Sequence, residues 1–315
     1  MEKIRLLPFK ILRMFFLPRY KKEFDFFEQE ANDEIFKLLS KSEPCMISRF
    51  GSVELDVICR VIAYNIHGDI FFKMKQFLKG NIFDFLPAKV DWKEVNINAG
   101  FFPVTEDNIK KFVDLYLTCI PQIDILGSWL ETEKYIKNYF NTNLKKVRLE
   151  NLEPYYFKNP WSRILEGKKV LVIHPFTDTI KKQYEKREYL FKDRNVLPNF
   201  SLKTIKAVQF IAGTKTEFAD WFEAFDSMKK QIDRTDFDIA IIGCGAYGMP
   251  LAAYCKEIGK KAVHLGGATQ LLFGIKGKRW DCYDYISSLY NEYWVRPSEQ
   301  EKPKNANKIE SACYW

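Results

Sequence analysis

Three absences close whole classes of function before any motif is read. The first is ordered cysteine and histidine. Seven cysteines, Cys45, Cys59, Cys119, Cys244, Cys255, Cys282 and Cys313, fall at irregular spacings with no C-x-x-C pair. An odd, unpatterned set suits reduced thiols in a cytosol, not a disulfide framework. The three histidines, His67, His174 and His264, show no metal-ligand spacing among themselves. The second absence is a broad basic face. Residues 1–22 carry seven Lys and Arg against Glu2 alone, so that arm holds +6 of the +8 net charge and the remainder only +2. The basic balance belongs to a terminal arm, and no nucleic-acid partner is expected. The third is a secretory or membrane-spanning segment. The arm is rich in Leu, Ile and Phe, but Lys10 and Arg13 interrupt it and no small-residue cleavage site follows. It is too short and too charged to span a bilayer. Two readings of it stand: a basic amphipathic segment on an anionic membrane, or a helix packed on the domain's own core. The first implies a cytoplasmic protein held peripherally on the inner face of the cell membrane.

What is present is most informative between Asp236 and Asp281. A strand (Phe237–Ile242) feeds a turn with Gly243, Gly245 and Gly248, then a helix (Pro250–Ile258). A second strand (Ala262–Leu265) feeds a second turn with Gly266 and Gly267, continuing into Thr269 and Gln270. A strand, a Gly-x-Gly-x-x-Gly turn and a helix aim backbone N–H groups and the positive helix end at one point, which suits a phosphate. The same glycines can also serve only to permit a tight turn. A dinucleotide site would place an acidic residue about 20 positions on, at the end of the next strand, for the ribose. That strand ends His264-Leu265-Gly266-Gly267, with no Asp or Glu and no Arg directly after.

Strand and helix alternate along the rest of the chain. Pro44–Gly51 reads as a strand running into a turn, and Ser52–Tyr64 as a helix with Ser52 its N-cap. Phe24–Leu39, Asp107–Cys119, Glu131–Phe140, Ile180–Phe191 and Phe218–Gln231 read as helical. Ile123–Leu126, Lys168–His174 and Thr204–Gln209 read as strands, the middle one a near-continuous apolar run of the buried, parallel type. The pattern predicts an α/β fold: a mostly parallel, Rossmann-like sheet with helices on both faces. Residues 1–22 form the arm. Residues 23–296 form one α/β domain, with a more irregular, helical insertion over 65–150. Residues 297–315 form a polar tail, read as an exposed strap whose last aromatics dock back. Ligands of such sheets bind beyond the carboxyl ends of the strands, where four loops converge: 49–54, 174–179, 243–248 and 264–270.

Each loop offers candidates. Arg49 at a strand end suits a diphosphate. Glu54 in the first helical turn could bind a divalent metal through oxygen or simply complement the helix dipole. Asp178 precedes a cationic helix and is a candidate base, although Asp before a helix is most often its cap. Lys276 lies in a Gly274–Asp281 loop whose cations read as an anion-binding flap or a basic surface turn. Cys244 has no visible base beside it and reads as small-residue filler.

Arg49-Phe50-Gly51-x-x-Glu54-Leu55 resembles the motif of bacterial glycosyltransferases of the GT-D type, whose segment usually reads Arg-Phe/Tyr-Gly-Asp-Gly-Glu. The stretch KKVLVIHPFTDTIKKQYEKREYLF and the Gly243–Asp281 segment also look like polysaccharide-cluster members with that fold. The resemblance covers roughly residues 35–290 and is strongest in the last third. It implies a GT-D-like fold and transfer of a sugar from a nucleotide-diphosphate donor to a glycan or lipid-linked acceptor, in bacterial surface polysaccharide synthesis. It implies Arg49, Gly51, Ser52 and the glycine turns as donor-binding residues, with Thr269, Gln270 and Lys276 beside them. Glu54 or Asp178 would be catalytic, and Glu54 would hold Mn or Mg. Ser52 stands where the family has Asp, so one metal ligand of the pattern is missing. Either Asp56 or Asp178 replaces it, or Arg49, lysines and helix N-termini stabilise the leaving diphosphate. The alternatives are a dinucleotide- or S-adenosylmethionine-dependent enzyme using the Gly243–Gly248 turn, and a non-catalytic membrane-associated binding protein.

Overall fold

The computed structural model describes residues 7–16, 22–85, 93–210, 216–303, 306 and 312–315. Seven strands form one sheet: β1 Cys45–Ser48, β2 Ile125–Ser128, β3 Lys145–Arg148, β4 Lys169–His174, β5 Ser201–Lys206, β6 Ile239–Ile242 and β7 Lys261–His264. Their order is β3-β2-β1-β7-β6-β4-β5, and every pairing is parallel. Around them run α1 Leu7–Phe16, α2 Glu28–Ser40, α3 Ser52–Asn65, α4 Ile70–Leu78, α5 Lys93–Ala99, α6 Glu106–Cys119, α7 Thr177–Glu185, α8 Arg187–Leu190, α9 Trp221–Asp233, α10 Gly248–Glu257, α11 Ala268–Leu272 and α12 Asp284–Leu289. The fold is a Rossmann-like α/β fold.

The strand sequences explain the layering. β4 is buried from Val170 onward. Leu171 and Ile173 join the core on one face, and Val170 and Val172 the core on the other. The first face is covered by α3, α6, α9 and α10, the second by α2, α7, α11 and the Trp161–Leu165 turn. Trp161 and Trp221 are fully buried on opposite sides of the sheet, and truncating either to Ala would cost about 3–5 kcal/mol. Connections stepping toward β3 use the first face, and those stepping toward β5 use the second. One handedness of crossover requires that division. Neighbours β1 and β7 therefore send the chain to opposite faces, as do β6 and β4. A crevice opens above their carboxyl ends, where such sheets hold ligands.

Several sequence expectations shift in register. β3 was not anticipated because Lys145, Lys146 and Arg148 read as a polar loop. It is an edge strand, and edge strands carry such cations to discourage further pairing. The other edge, β5, begins three residues before the expected Thr204, and its side chains are partly solvated. Glu131–Tyr139 is a 3-10 turn, not an α-helix. Gly51, not Ser52, occupies the cap of α3, with no side-chain cap bond. The helix expected over Ile180–Phe191 starts at Thr177 and breaks at Lys186. The tail is less exposed than expected. Glu301, Pro303, Ala312 and Cys313 are buried, and Tyr314 and Trp315 do dock back. Of the arm, residues 1–6 and 17–21 lie outside the described residues.

Candidate functional site

The crevice is a cleft of about 550 Å³. It is floored by the ends of β1, β7, β6 and β4 and brings residues of all four expected loops to one place. Arg49, Gly51, Ser52 and Glu54 enter from the first, Gly243 and Gly245 from the third, and Gly266, Gly267 and Gln270 from the fourth. From the second loop the cleft takes His174, Pro175 and Phe176, but not Asp178.

Asp178 is exposed and faces Lys181 at 3.8 Å. The reason lies in the tail. The buried Glu301 carboxylate accepts the Asp178 N–H at 2.8 Å and also the Thr179 hydroxyl and N–H. An internal anion therefore already occupies the N-terminus of α7. Lys276 also stays out of the cleft; its ammonium lies 5.1 Å over the Tyr290 ring. The cation that the flap does contribute is Arg279. Its backbone N–H donates to the Cys313 carbonyl at 2.8 Å, and its guanidinium lies 4.8 Å from the Tyr314 ring centre.

The glycine turns pack more than they bind. A Cβ on Gly243 would stand 2.4 Å from the Gly266 carbonyl and 2.5 Å from Thr269 Oγ1, so the two turns touch there. A Cβ on Gly248 would stand 2.2 Å from His264 Nε2. Gly248 and Thr269 thus serve the floor beneath the cleft, and neither lines it. The Gly243 N–H is spent on the Ile173 carbonyl at 2.9 Å, and the Gly266 N–H on the Ile242 carbonyl at 3.2 Å. Gly245 does need its freedom, with φ +58°.

Charge gathers on the β1 side instead. The Arg49 guanidinium lies 5.0 Å from the Trp129 ring, and Trp129 Nε1–H donates to the Phe50 carbonyl at 2.9 Å. Burial, and after it the nearby Arg279 charge, weakens the hold of Arg49 on its proton, opposed by Glu54. Two guanidiniums in mutual repulsion at one cleft leave a place for an anion. The Glu54 carboxyl folds back over Gly51, where a Cβ would meet Oε2 at 1.9 Å. Burial raises its pKa, while its own backbone N–H and Arg49 pull it down.

Sequence reasoning missed Glu153. It lies between two 3-10 segments after β3, lines the cleft and accepts a hydrogen bond from the Tyr155 hydroxyl. Burial pushes its pKa to about 7; the Tyr155 bond and Arg49 act against this and Glu150 with it. The only signal available was a carboxylate among aromatics, in Glu153-Pro154-Tyr155-Tyr156. Burial drives both strand-end histidines to about 3, so both are neutral. His174 Nδ1 accepts the Phe176 N–H at 3.0 Å, which leaves its proton on Nε2. Burial pushes the Cys244 thiol up, which makes it a poor nucleophile.

Three buried polar atoms on cleft residues have no partner: the Tyr247 hydroxyl, Gln270 Oε1 and Trp315 Nε1. Gln270 Nε2 donates to the Ile275 and Tyr314 carbonyls at 3.3 and 3.2 Å, which fixes the orientation of the amide. Unsatisfied buried groups of this kind call for a ligand or water.

Set against known proteins, the chain matches no family model, no curated protein and no solved structure. The site therefore has to be read from its own chemistry. Its donor set does not suit a divalent metal. Glu54 is the single carboxylate of the β1 turn, it is folded toward Arg49, and Ser52 offers no charge. Among the described residues, no three His, Cys, Asp or Glu side chains group to hold an ion.

Proposed function

We propose that the protein transfers a sugar from a nucleotide-diphosphate donor to a hydroxyl acceptor. The observation that carries this reading is the convergence of Arg49, Arg279 and Glu153 on one aromatic-walled cleft at the switch point of the sheet. Arg49 and Arg279 neutralise the leaving diphosphate, and fixed cations in a partly dry cleft do so with little reorganisation. Glu54 holds the Arg49 guanidinium in place. Trp129, Tyr156, Tyr283 and Trp280 offer faces on which a base or sugar can stack. The acceptor hydroxyl gives its proton to the Glu153 carboxylate as its oxygen bonds to the sugar's anomeric carbon. The bond from that carbon to the diphosphate oxygen breaks, and the nucleoside diphosphate leaves. A carboxyl with pKa near 7 is well matched to taking that proton at neutral pH. The acceptor is a glycan or lipid-linked saccharide, and the protein works peripherally at a membrane.

The sign of the pH dependence follows. Glu153 is a base only when ionised, so transfer rises with pH and levels off above about 7. Uridine diphosphate and its sugars should raise the melting temperature. Glu153→Gln should keep that shift while losing about 10²- to 10⁴-fold in turnover, and its residual rate should no longer climb through neutral pH. A melting temperature that responds to NADH or S-adenosylmethionine and to no nucleotide sugar would sink the proposal.

A further inference from the structure

Half of the exposed large apolar side chains among the described residues gather at one corner. They are Ile11 (47% exposed) and Leu12 (43%) of α1, Tyr64 (64%) near the end of α3, and Ile70 (43%), Phe71 (73%) and Phe72 (44%) at the start of α4. The corner is built, not frayed. The Phe9 ring meets Phe85 at 5.2 Å. Arg13 sits 4.6 Å over the Phe77 ring and donates to the Tyr135 hydroxyl. Those contacts seat one side of α1 against α4 and leave Ile11 and Leu12 outside. The Asp69 carboxylate caps α4 by accepting the Phe72 N–H at 2.7 Å, which holds the turn that presents Phe71. Lys73 donates to the Tyr64 carbonyl at 2.8 Å and ties α4 to the end of α3.

The charge of the segments that carry this apolar cluster is predominantly positive. Residues 7–16 and 64–79 carry Lys10, Arg13, Lys73, Lys75 and Lys79 against Asp69 alone. That combination separates two kinds of partner. Protein interfaces are depleted in lysine around their apolar centres. An anionic bilayer rewards lysines at its surface and apolar side chains a few ångströms deeper. No helix among the described residues is long and apolar enough to cross a membrane, so such a surface would lie on the bilayer. We propose that α1 and the 64–79 corner form one docking surface for an anionic lipid bilayer, with Phe71 and Phe72 inserting and the lysines meeting the headgroups. The membrane contact is then not a property of residues 1–22 alone. The corner sits at the far end of α3 from Gly51–Glu54, roughly 20 Å along a 14-residue helix, so docking and cleft occupancy are separable.

Sedimentation of the full chain with phosphatidylcholine vesicles, with and without phosphatidylglycerol, tests this. Binding should appear on the phosphatidylglycerol vesicles and weaken as salt is raised. Phe71→Ser with Phe72→Ser should lower the partition coefficient about tenfold or more, while Phe71→Ser alone, at the more exposed ring, should lower it in part with the melting temperature unchanged. Lys75→Gln with Lys79→Gln, exposed positions on α4 and at its C-cap, should weaken binding only to the anionic vesicles. Wild-type binding by both double variants would overturn the proposal. So would no vesicle binding combined with a concentration-dependent dimer that the Phe variant abolishes, which would assign the corner to a second copy of this chain.

Discussion

The turn after β1 and the turn after β6 are built alike and furnished differently. Each leaves a central parallel strand, rounds a glycine and starts a helix on the same face of the sheet. The β1 turn keeps its glycine for a side chain: Gly51 is bare so that the Glu54 carboxyl can lie over it, beside Arg49. The β6 turn keeps its glycine for the backbone: Gly243 is bare so that the Gly266 carbonyl and Thr269 can close on it. A glycine fingerprint thus marks where main chains approach each other, and the charge that would read an anion enters from another strand. Of two similar turns, the one with the weaker pattern carries the buried charged side chains.

The sharpest way to break that contrast is to strip the charged turn. Arg49→Ala should weaken binding of uridine diphosphate by about a hundredfold, the order seen when one partner of a buried charge pair is removed. Gly51→Ala should reach part of that effect without touching a charge. Its backbone at φ −76°, ψ 143° accepts alanine, but the new Cβ evicts the Glu54 carboxyl and frees Arg49. A loss of about tenfold in affinity, with stability within about 1 kcal/mol of the parent, is expected from calorimetry and urea unfolding. Unchanged affinity would mean that Glu54 does no more than complement the dipole of α3.

This asymmetry also explains what could be read from the chain alone. The parallel sheet was legible because β4 and β6 are apolar runs that only burial on both faces explains. The edges β3 and β5 were not, because solvated strands dressed with lysine look like loops. Arg49 and Glu54 were legible because they sit a fixed number of residues from a strand end. Arg279 and Glu153 were not, because each reaches the cleft through tertiary folding. Arg279 is carried by a turn tied to Cys313, and Glu153 by the 3-10 segments of the long crossover from β3 to β4. Asp178 misled because a first-turn helix residue and a catalytic residue look the same in sequence. Only Glu301, more than a hundred residues away, reveals which it is.

The smaller effects test the glycine turn itself, and here position within the turn decides the outcome. Gly243→Ala forces a Cβ to 2.4 Å from a main-chain carbonyl that cannot swing aside. A cost of about 1–3 kcal/mol in unfolding free energy is expected for such overpacking. Gly245→Ala meets nothing closer than the Ala99 carbonyl at 3.8 Å, but it must hold φ +58°. Its cost is the backbone preference alone, about 1 kcal/mol. Asparagine tolerates that left-handed region better than alanine, so Gly245→Asn should recover part of the loss, while Gly243→Asn should recover none. If asparagine rescued both sites or neither, conformational freedom and close approach would not be the separate reasons for these two glycines.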